Sequence, residues 1–222
     1  MARLVAFGSS YTYGDGLPDT FPNNSKPSRL AWPAILAAEL NLECVNMSSQ
    51  GASNKKIWHD ILNFKFKPDD IVFILWAFSN RYTIFNSKSK FKNLLPWAIN
   101  DSVEAVAYYH HIYTEYDSDL SSKLYINHAN NLILSKNITV HHLLLNKESK
   151  DLFELGGQKI KVIPLLFEES YKEMYPLSLD NLHPGEECHR EFVRDILQWL
   201  NIVPTIPKQQ KLPWFNRICK LI

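Results

Sequence analysis

The chain has no excess of charge of either sign. Its 24 Lys and Arg are balanced by 23 Asp and Glu, for a formal net charge of +1. A nucleic-acid binder carries a strong basic surplus, so nucleic acid is not expected as a partner. The basic residues are spread out, apart from a modest cluster at Lys88, Lys90 and Lys92. Cysteine is scarce too. Cys44, Cys188 and Cys219 are odd in number, far apart and without metal-ligand spacing. They exclude a disulfide framework and read as buried or idle thiols in a reducing compartment. No apolar run approaches the ~20 residues that a membrane span requires, so no membrane partner is expected. No classical signal peptide opens the chain, because Ala2 to Phe7 runs straight into a core-like strand. No repeat is found.

What remains is a soluble, globular composition. Of 222 residues, 45% are hydrophobic and 13% aromatic, which fits one domain with at most an appendage. Arg3 to Phe7 reads as a buried strand ending at Gly8, and a loop rich in Gly, Pro and Asn runs from Tyr13 to about Pro27. Leu30 to Leu40 reads as a helix, Leu42 to Met47 as a strand and Asn54 to Phe64 as an amphipathic helix. Asp70 to Phe78 is a continuous apolar strand of the kind buried on both faces. Ser102 to about Lys136 is one long helix or two, Ile138 to Leu145 and Lys161 to Phe167 are strands, and Glu186 to Leu200 is a closing helix. Strands alternating with helices imply a three-layer α/β/α sandwich with a central, mostly parallel sheet. Active sites of such sheets sit beyond the carboxyl ends of the strands. The polar clusters after the first, second, third and fifth strands should therefore converge.

Two clusters carry chemistry. Phe7-Gly8-Ser9-Ser10-Tyr11-Thr12-Tyr13-Gly14 places a serine on a sharp turn after a strand, where backbone N–H groups also point outward. A helix-capping or turn serine has the same local pattern. Asp180-Asn181-Leu182-His183-Pro184-Gly185 offers a base and an orienting acceptor on one loop. His110 with His111, and His141 with His142, are adjacent pairs. Neighbours on a helix or strand do not share a face, so neither pair makes a metal site, and none is expected. Tyr11, Tyr13, Trp76 and Phe78 are candidates for a pocket wall or for core.

Together the clusters resemble the SGNH (GDSL-like) hydrolases, which combine this sandwich with a flavodoxin-like sheet. Gly8-Ser9-Ser10-Tyr11-Thr12 is similar to their first block, Asp180-x-x-His183-Pro184 to their last, and Asn46 to Ser53 to their second. The resemblance covers about Arg3 to Leu200. It implies Ser10 as nucleophile, His183 as base, Asp180 as its orienting acid, and an oxyanion hole from Ser10, Gly51 and Asn80. Two departures stand out. Ser9 replaces the aspartate that precedes the nucleophile. The third block, normally Gly-x-Asn-Asp, reads Ala77-Phe78-Ser79-Asn80, so Asn80 fits only with a one-residue slip and Ser79 or Arg81 are alternatives.

The implied activity is an esterase or deacylase that acts on small-molecule or glycan acyl esters through an acyl-enzyme, without a cofactor. The alternative is a binding or structural protein on the same scaffold, such as a phage virion component, because fold does not fix function. A cytoplasmic or virion-associated location follows from the same reading. The domain is expected to span residues 1–203. Pro204 and Pro207 then begin a linker and an amphipathic tail, 204–222, in which Phe215, Ile218 and Ile222 share a helical face. That tail would dock onto its own domain, a partner protein or a second copy.

Overall fold

Period-two alternation divides the first strand between two cores. Leu4 and Ala6 of β1 (Arg3–Phe7) face one side and Val5 and Phe7 the other, all with 0% exposure. In this computed structural model, which describes residues 2–22, 25–87, 90–172 and 174–208, β1 is followed by α1 (Ser10–Tyr13), α2 (Trp32–Glu39), β2 (Glu43–Asn46), α3 (Asn54–Asn63) and β3 (Ile71–Leu75). A hairpin of β4 (Tyr82–Phe85) and β5 (Phe91–Leu94) comes next, then a 3-10 turn over Pro96–Asp101, α4 (Val103–His111) and α5 (Glu115–Leu134). The chain continues through β6 (Thr139–Leu144), a second 3-10 turn over Glu148–Phe153, the short pair β7 (Glu154–Leu155) and β8 (Gln158–Lys159), β9 (Val162–Leu166) and α6 (Glu186–Trp199).

Five strands form one sheet in the order β2-β1-β3-β6-β9, and every pairing in it is parallel. The order reverses between β1 and β3, which is where such sheets open a crevice beyond their carboxyl ends. Helices α2 and α6 cover one face, with Trp32, Leu36, Phe192 and Ile196 packed against Leu4, Phe73 and Leu143. Helices α3 and α5 cover the other, with Ile57, Ile61, Ile126 and Ile133 against Val5, Val72 and Ile74. This is the expected three-layer sandwich.

Of the two options for the stretch from Ser102, one helix or two, the chain takes two helices, each with its own cap. Ser102 Oγ accepts from Ala105 N–H at 3.2 Å, and Thr114 Oγ1 from Asp117 N–H at 3.2 Å. The two histidines of the β6 pair face opposite layers. His141 stacks on Phe73 at 4.7 Å, whereas His142 is buried on the other side, where it accepts from the Trp76 indole at 3.0 Å. Among the described residues, no group of three or more His, Cys, Asp or Glu is placed to hold a metal, and Cys44 and Cys188 are free thiols.

The segment after Val203 is docked as far as it is described. Ile206 packs into the α2–α6 layer at 7% exposure, and Thr205 donates from N and Oγ1 to the Glu39 carboxylate at 3.0 and 2.5 Å. The expected amphipathic helix falls, past Lys208, outside the described residues. No helix is long and apolar enough to cross a membrane among the described residues.

Candidate active site

Beyond the carboxyl ends of β1, β2 and β3 lies a cavity of about 480 Å³ lined by Ser10, Gly51, Arg81, Trp97, Leu182 and His183, among others. Ser10 is the first residue of α1, a single turn of helix that starts two residues after β1. Gly8 makes that turn possible. A Cβ there would lie 2.1 Å from Thr12 Oγ1 and 3.1 Å from the Leu75 carbonyl. The turn closes at Gly14, whose φ of 84° lies in the left-handed region that glycine adopts freely. Asn46, at the end of β2, ties the second loop to the first. Its amide donates to the Thr12 carbonyl at 2.8 Å, and its Oδ1 accepts from both N–H and hydroxyl of Ser48.

The Asp180–His183 loop is a closed turn. Ser178 N–H and hydroxyl both donate to the His183 carbonyl, at 2.9 and 3.0 Å, and Leu177 bridges Pro184. Within it, His183 Nδ1 lies 2.6 Å from Asp180 Oδ2. Asp180 Oδ1 accepts from Leu182 N–H at 2.9 Å, His183 N–H at 3.0 Å and Ser178 Oγ at 2.7 Å. Burial opposes ionisation of Asp180. The His183 and Leu182 N–H groups, the Ser178 hydroxyl and the His183 ring outweigh it, and hold the carboxyl well below the usual carboxylate range. The carboxylate beside the histidine is thus held in its charged form, with Oδ1 accepting three hydrogen bonds and Oδ2 facing the ring.

Two residues of the first loop, which the sequence did not mark, complete this arrangement. A Cβ on Gly16 would sit 2.5 Å from Asp180 Cγ, so the glycine lets the two loops meet, and the Gly16 carbonyl accepts from Leu179 N–H at 3.0 Å. Asp15 is half-buried on the cavity wall, with Oδ2 4.0 Å from His183 Nε2 and Oδ1 accepting from Gln50 Nε2 at 2.5 Å. Burial raises its pKa, against the Gln50 hydrogen bond and the nearby His183. The His183 ring also meets Tyr11 edge-on at 5.8 Å.

Gly51 lines the same cavity with φ of 64°. A Cβ there would meet Asn93 Nδ2 and Leu95 at 3.5 Å, an ordinary contact. Glycine is therefore favoured here by the backbone angle and not, as close approach alone would suggest, by crowding. The β4–β5 hairpin braces this loop, since Asn93 donates to the Gln50 carbonyl at 3.0 Å and Thr83 bonds both Asn93 and Ser53.

The structure thus brings Ser10, Gly51 and His183 to one cavity, with Asp180 behind the histidine, although no hydrogen bond joins Ser10 to His183. Asn80 is the member it does not bring there. Asn80 lines a separate cavity with Ser79, Tyr113, Glu115 and Asp119, and its Oδ1 is buried without a partner. The backbone turns after β3, with Arg81 N–H bonded to the Phe78 carbonyl, and this turn gives the Ser10 cavity to Phe78 and Arg81 and sends Ser79 and Asn80 the other way. Of the candidate pocket aromatics, Tyr11 and Phe78 line the Ser10 cavity, while Trp76 is committed to His142.

No protein-family model matches the chain, and no curated protein is significantly similar to it. Solved structures do share its architecture. TesA superimposes with a TM-score of 0.57 at 12% identity, covering 90% of this chain and 98% of that one. The fold is that of the G-D-S-L lipolytic proteins and esterases. A protein from Desulfitobacterium hafniense DCB-2, assigned to the G-D-S-L lipolytic family, superimposes at 0.50 with 16% identity over 88% of this chain and 98% of its own. A catalytic serine-to-alanine mutant of Axe2, an acetylxylan esterase from Geobacillus stearothermophilus, gives 0.51 at 15% identity over 91% and 96%. In this chain, the G-D-S-L-like fold presents Ser10, Gly51 and His183 at the crevice between β1 and β3.

Proposed function

We propose that this chain is a serine ester hydrolase. The observation that carries the reading is the Asp180–His183 pair, fixed at 2.6 Å, opening onto the same cavity as Ser10 and Gly51. A hydroxyl is a weak nucleophile without an adjacent base, and an imidazole is an effective base only in one tautomer. Asp180 Oδ2 keeps the proton on Nδ1 and leaves Nε2 to take the Ser10 proton as Oγ attacks the ester carbonyl. The Ser10 and Gly51 N–H groups receive the developing oxyanion. His183 then returns the proton to the leaving alcohol, and water, activated by the same nitrogen, releases the acyl group. Asp180 stabilises the imidazolium at each stage without itself being protonated.

The acceptor class we favour is a carbohydrate bearing O-acyl groups. Trp97 supports it, as an indole 65% exposed at the cavity mouth where a sugar ring can stack. The acetylxylan esterase Axe2, which shares the fold, acts on such a substrate. The test is hydrolysis of p-nitrophenyl acetate and of acetylated xylo-oligosaccharides by the wild-type chain and by Ser10→Ala. Turnover of both substrates by the wild type and of neither by the variant is expected. Equal rates in the two proteins would refute the nucleophile. Turnover of the aryl ester alone would refute the carbohydrate assignment.

A further inference from the structure

The Ser10 cavity is walled by a cation that this triad leaves unused. Arg81 is 8% exposed, and a buried guanidinium is unfavourable unless something meets its charge. Among the described residues, no carboxylate stands within ion-pair distance of it. Glu168, on the same wall, is engaged elsewhere, accepting from the Tyr11 hydroxyl at 3.1 Å with Lys172 Nζ at 3.5 Å. Asp15 is taken by Gln50 and His183. A guanidinium has five N–H donors, and here one hydrogen bond is made, from Nη1 to Ser9 Oγ at 2.6 Å. Nε is buried with no partner.

The group is nonetheless held firmly. Its Cζ lies 5.1 Å from the Phe78 ring and 4.9 Å from the Trp97 ring, so two aromatic faces fix it. Ser9, to which it is tethered, is the residue immediately before Ser10, at the N-cap position of α1, where its hydroxyl makes no capping bond and accepts from Arg81 instead. Arg81 therefore offers unspent donors at the nucleophile's own turn, on the wall where the resemblance implies a side-chain amide and where Asn80 is not found.

We infer that Arg81 is the third oxyanion donor, a charged one in place of a neutral amide. The inference rests on the serine-esterase reading. When Ser10 Oγ bonds to the ester carbon, the carbonyl π pair moves to oxygen and the Ser10 proton passes to His183. The new negative charge is met by the Ser10 and Gly51 N–H groups and by the free N–H groups of Arg81. Collapse re-forms the carbonyl and expels the alkoxide, which takes the proton from His183. A charged donor gains most when its acceptor becomes charged, so Arg81 acts on the transition state far more than on bound ester.

The test compares Arg81→Gln and Arg81→Lys with wild type on a neutral ester, p-nitrophenyl acetate, and an anionic one, p-nitrophenyl hemisuccinate. For Arg81→Gln, kcat should fall on both esters by on the order of 10²–10³. KM should stay within about threefold, as expected for an interaction made only in the transition state. Arg81→Lys should recover part of kcat, because it retains the charge but not the fork. Near-UV circular dichroism establishes that each variant is folded, and if Arg81→Gln is not, Arg81→Lys carries the same comparison with wild type. Unchanged kinetics would overturn the inference. So would a rise in KM confined to the hemisuccinate, which would make Arg81 a receptor for a substrate carboxylate. Those outcomes leave the esterase reading intact. A wild-type protein inactive on both esters, or Ser10→Ala as active as wild type, overturns that reading and this inference with it.

Discussion

Asp180 holds His183 by both of its oxygens, Oδ2 on the ring nitrogen Nδ1 at 2.6 Å and Oδ1 on the same residue's backbone N–H at 3.0 Å. One carboxylate thus fixes the position of the base and its tautomer. In Asp180→Asn, an amide oxygen at the Oδ1 site can still accept the two backbone N–H groups, while its NH₂ now faces Nδ1. The ring is then driven to the wrong tautomer. A loss of kcat of roughly 10³–10⁴ is expected, with the fold retained. Steady-state kinetics beside a thermal melt checks this, and an unchanged kcat would contradict the assigned role. Because Asp180 titrates well below its ordinary value of 3.8, its stabilising contribution is present above that value and is lost only as pH falls through the lower, folded one.

Stability should be sensitive to acid for a different reason. His142 and His189 are buried, at 1% and 0% exposure. Burial pushes both from an ordinary 6.5 down to about 3, with a smaller push from His141 and from His183 respectively. Both are neutral in the fold. His142 accepts from the Trp76 indole at Nδ1 and meets Asn130 Oδ1 at 3.2 Å from Nε2, while His189 Nδ1 accepts from Trp32 N–H. The unfolded chain takes up these two protons first. Stability is therefore full above pH 6.5 and declines as pH falls toward 3, by roughly 2–4 kcal/mol between pH 7 and 5 for the pair. Urea unfolding at the two pH values measures it. His142→Gln, which keeps an amide acceptor for Trp76, should remove about half of the slope. A flat profile would show that these histidines are not held neutral.

Much of this arrangement was legible in the chain. The apolar runs Arg3 to Phe7 and Asp70 to Phe78 gave the two strands that flank the crevice, because strands buried on both faces read as continuous hydrophobic segments. Asp180 and His183 were legible because the turn that joins them is local. What was not legible depends on tertiary approach. Asp15 and Gly16 lie in a loop without periodicity, and only the meeting of that loop with Ser178–His183 gives them a role. The β4–β5 hairpin has four-residue strands outside the main sheet, too short for alternation to mark. Which cavity Asn80 and Arg81 face depends on the bend after β3, and one residue of register there exchanges the side chains presented to two different cavities.

Gly51 separates a backbone requirement from a catalytic one. With φ at 64°, a β-branched residue is disfavoured by about 1–2 kcal/mol, whereas asparagine tolerates the left-handed region. Gly51→Asn should therefore keep the N–H in place and retain most of kcat. Gly51→Val should turn the N–H away and lower kcat with little change in KM. Equal losses, or equal retention, in the two variants would argue that this N–H takes no part in catalysis.

A fluorophosphonate probe tests directly whether Ser10 is a nucleophile activated by His183. Wild-type protein, Ser10→Ala and His183→Ala are incubated with the probe, digested, and the adduct is located by mass spectrometry. A phosphonyl adduct on the Ser10 peptide of the wild type is expected. It should be absent from Ser10→Ala and strongly slowed in His183→Ala, with all three proteins folded. An adduct on Ser9, or none on a folded wild-type chain, would contradict that role for Ser10.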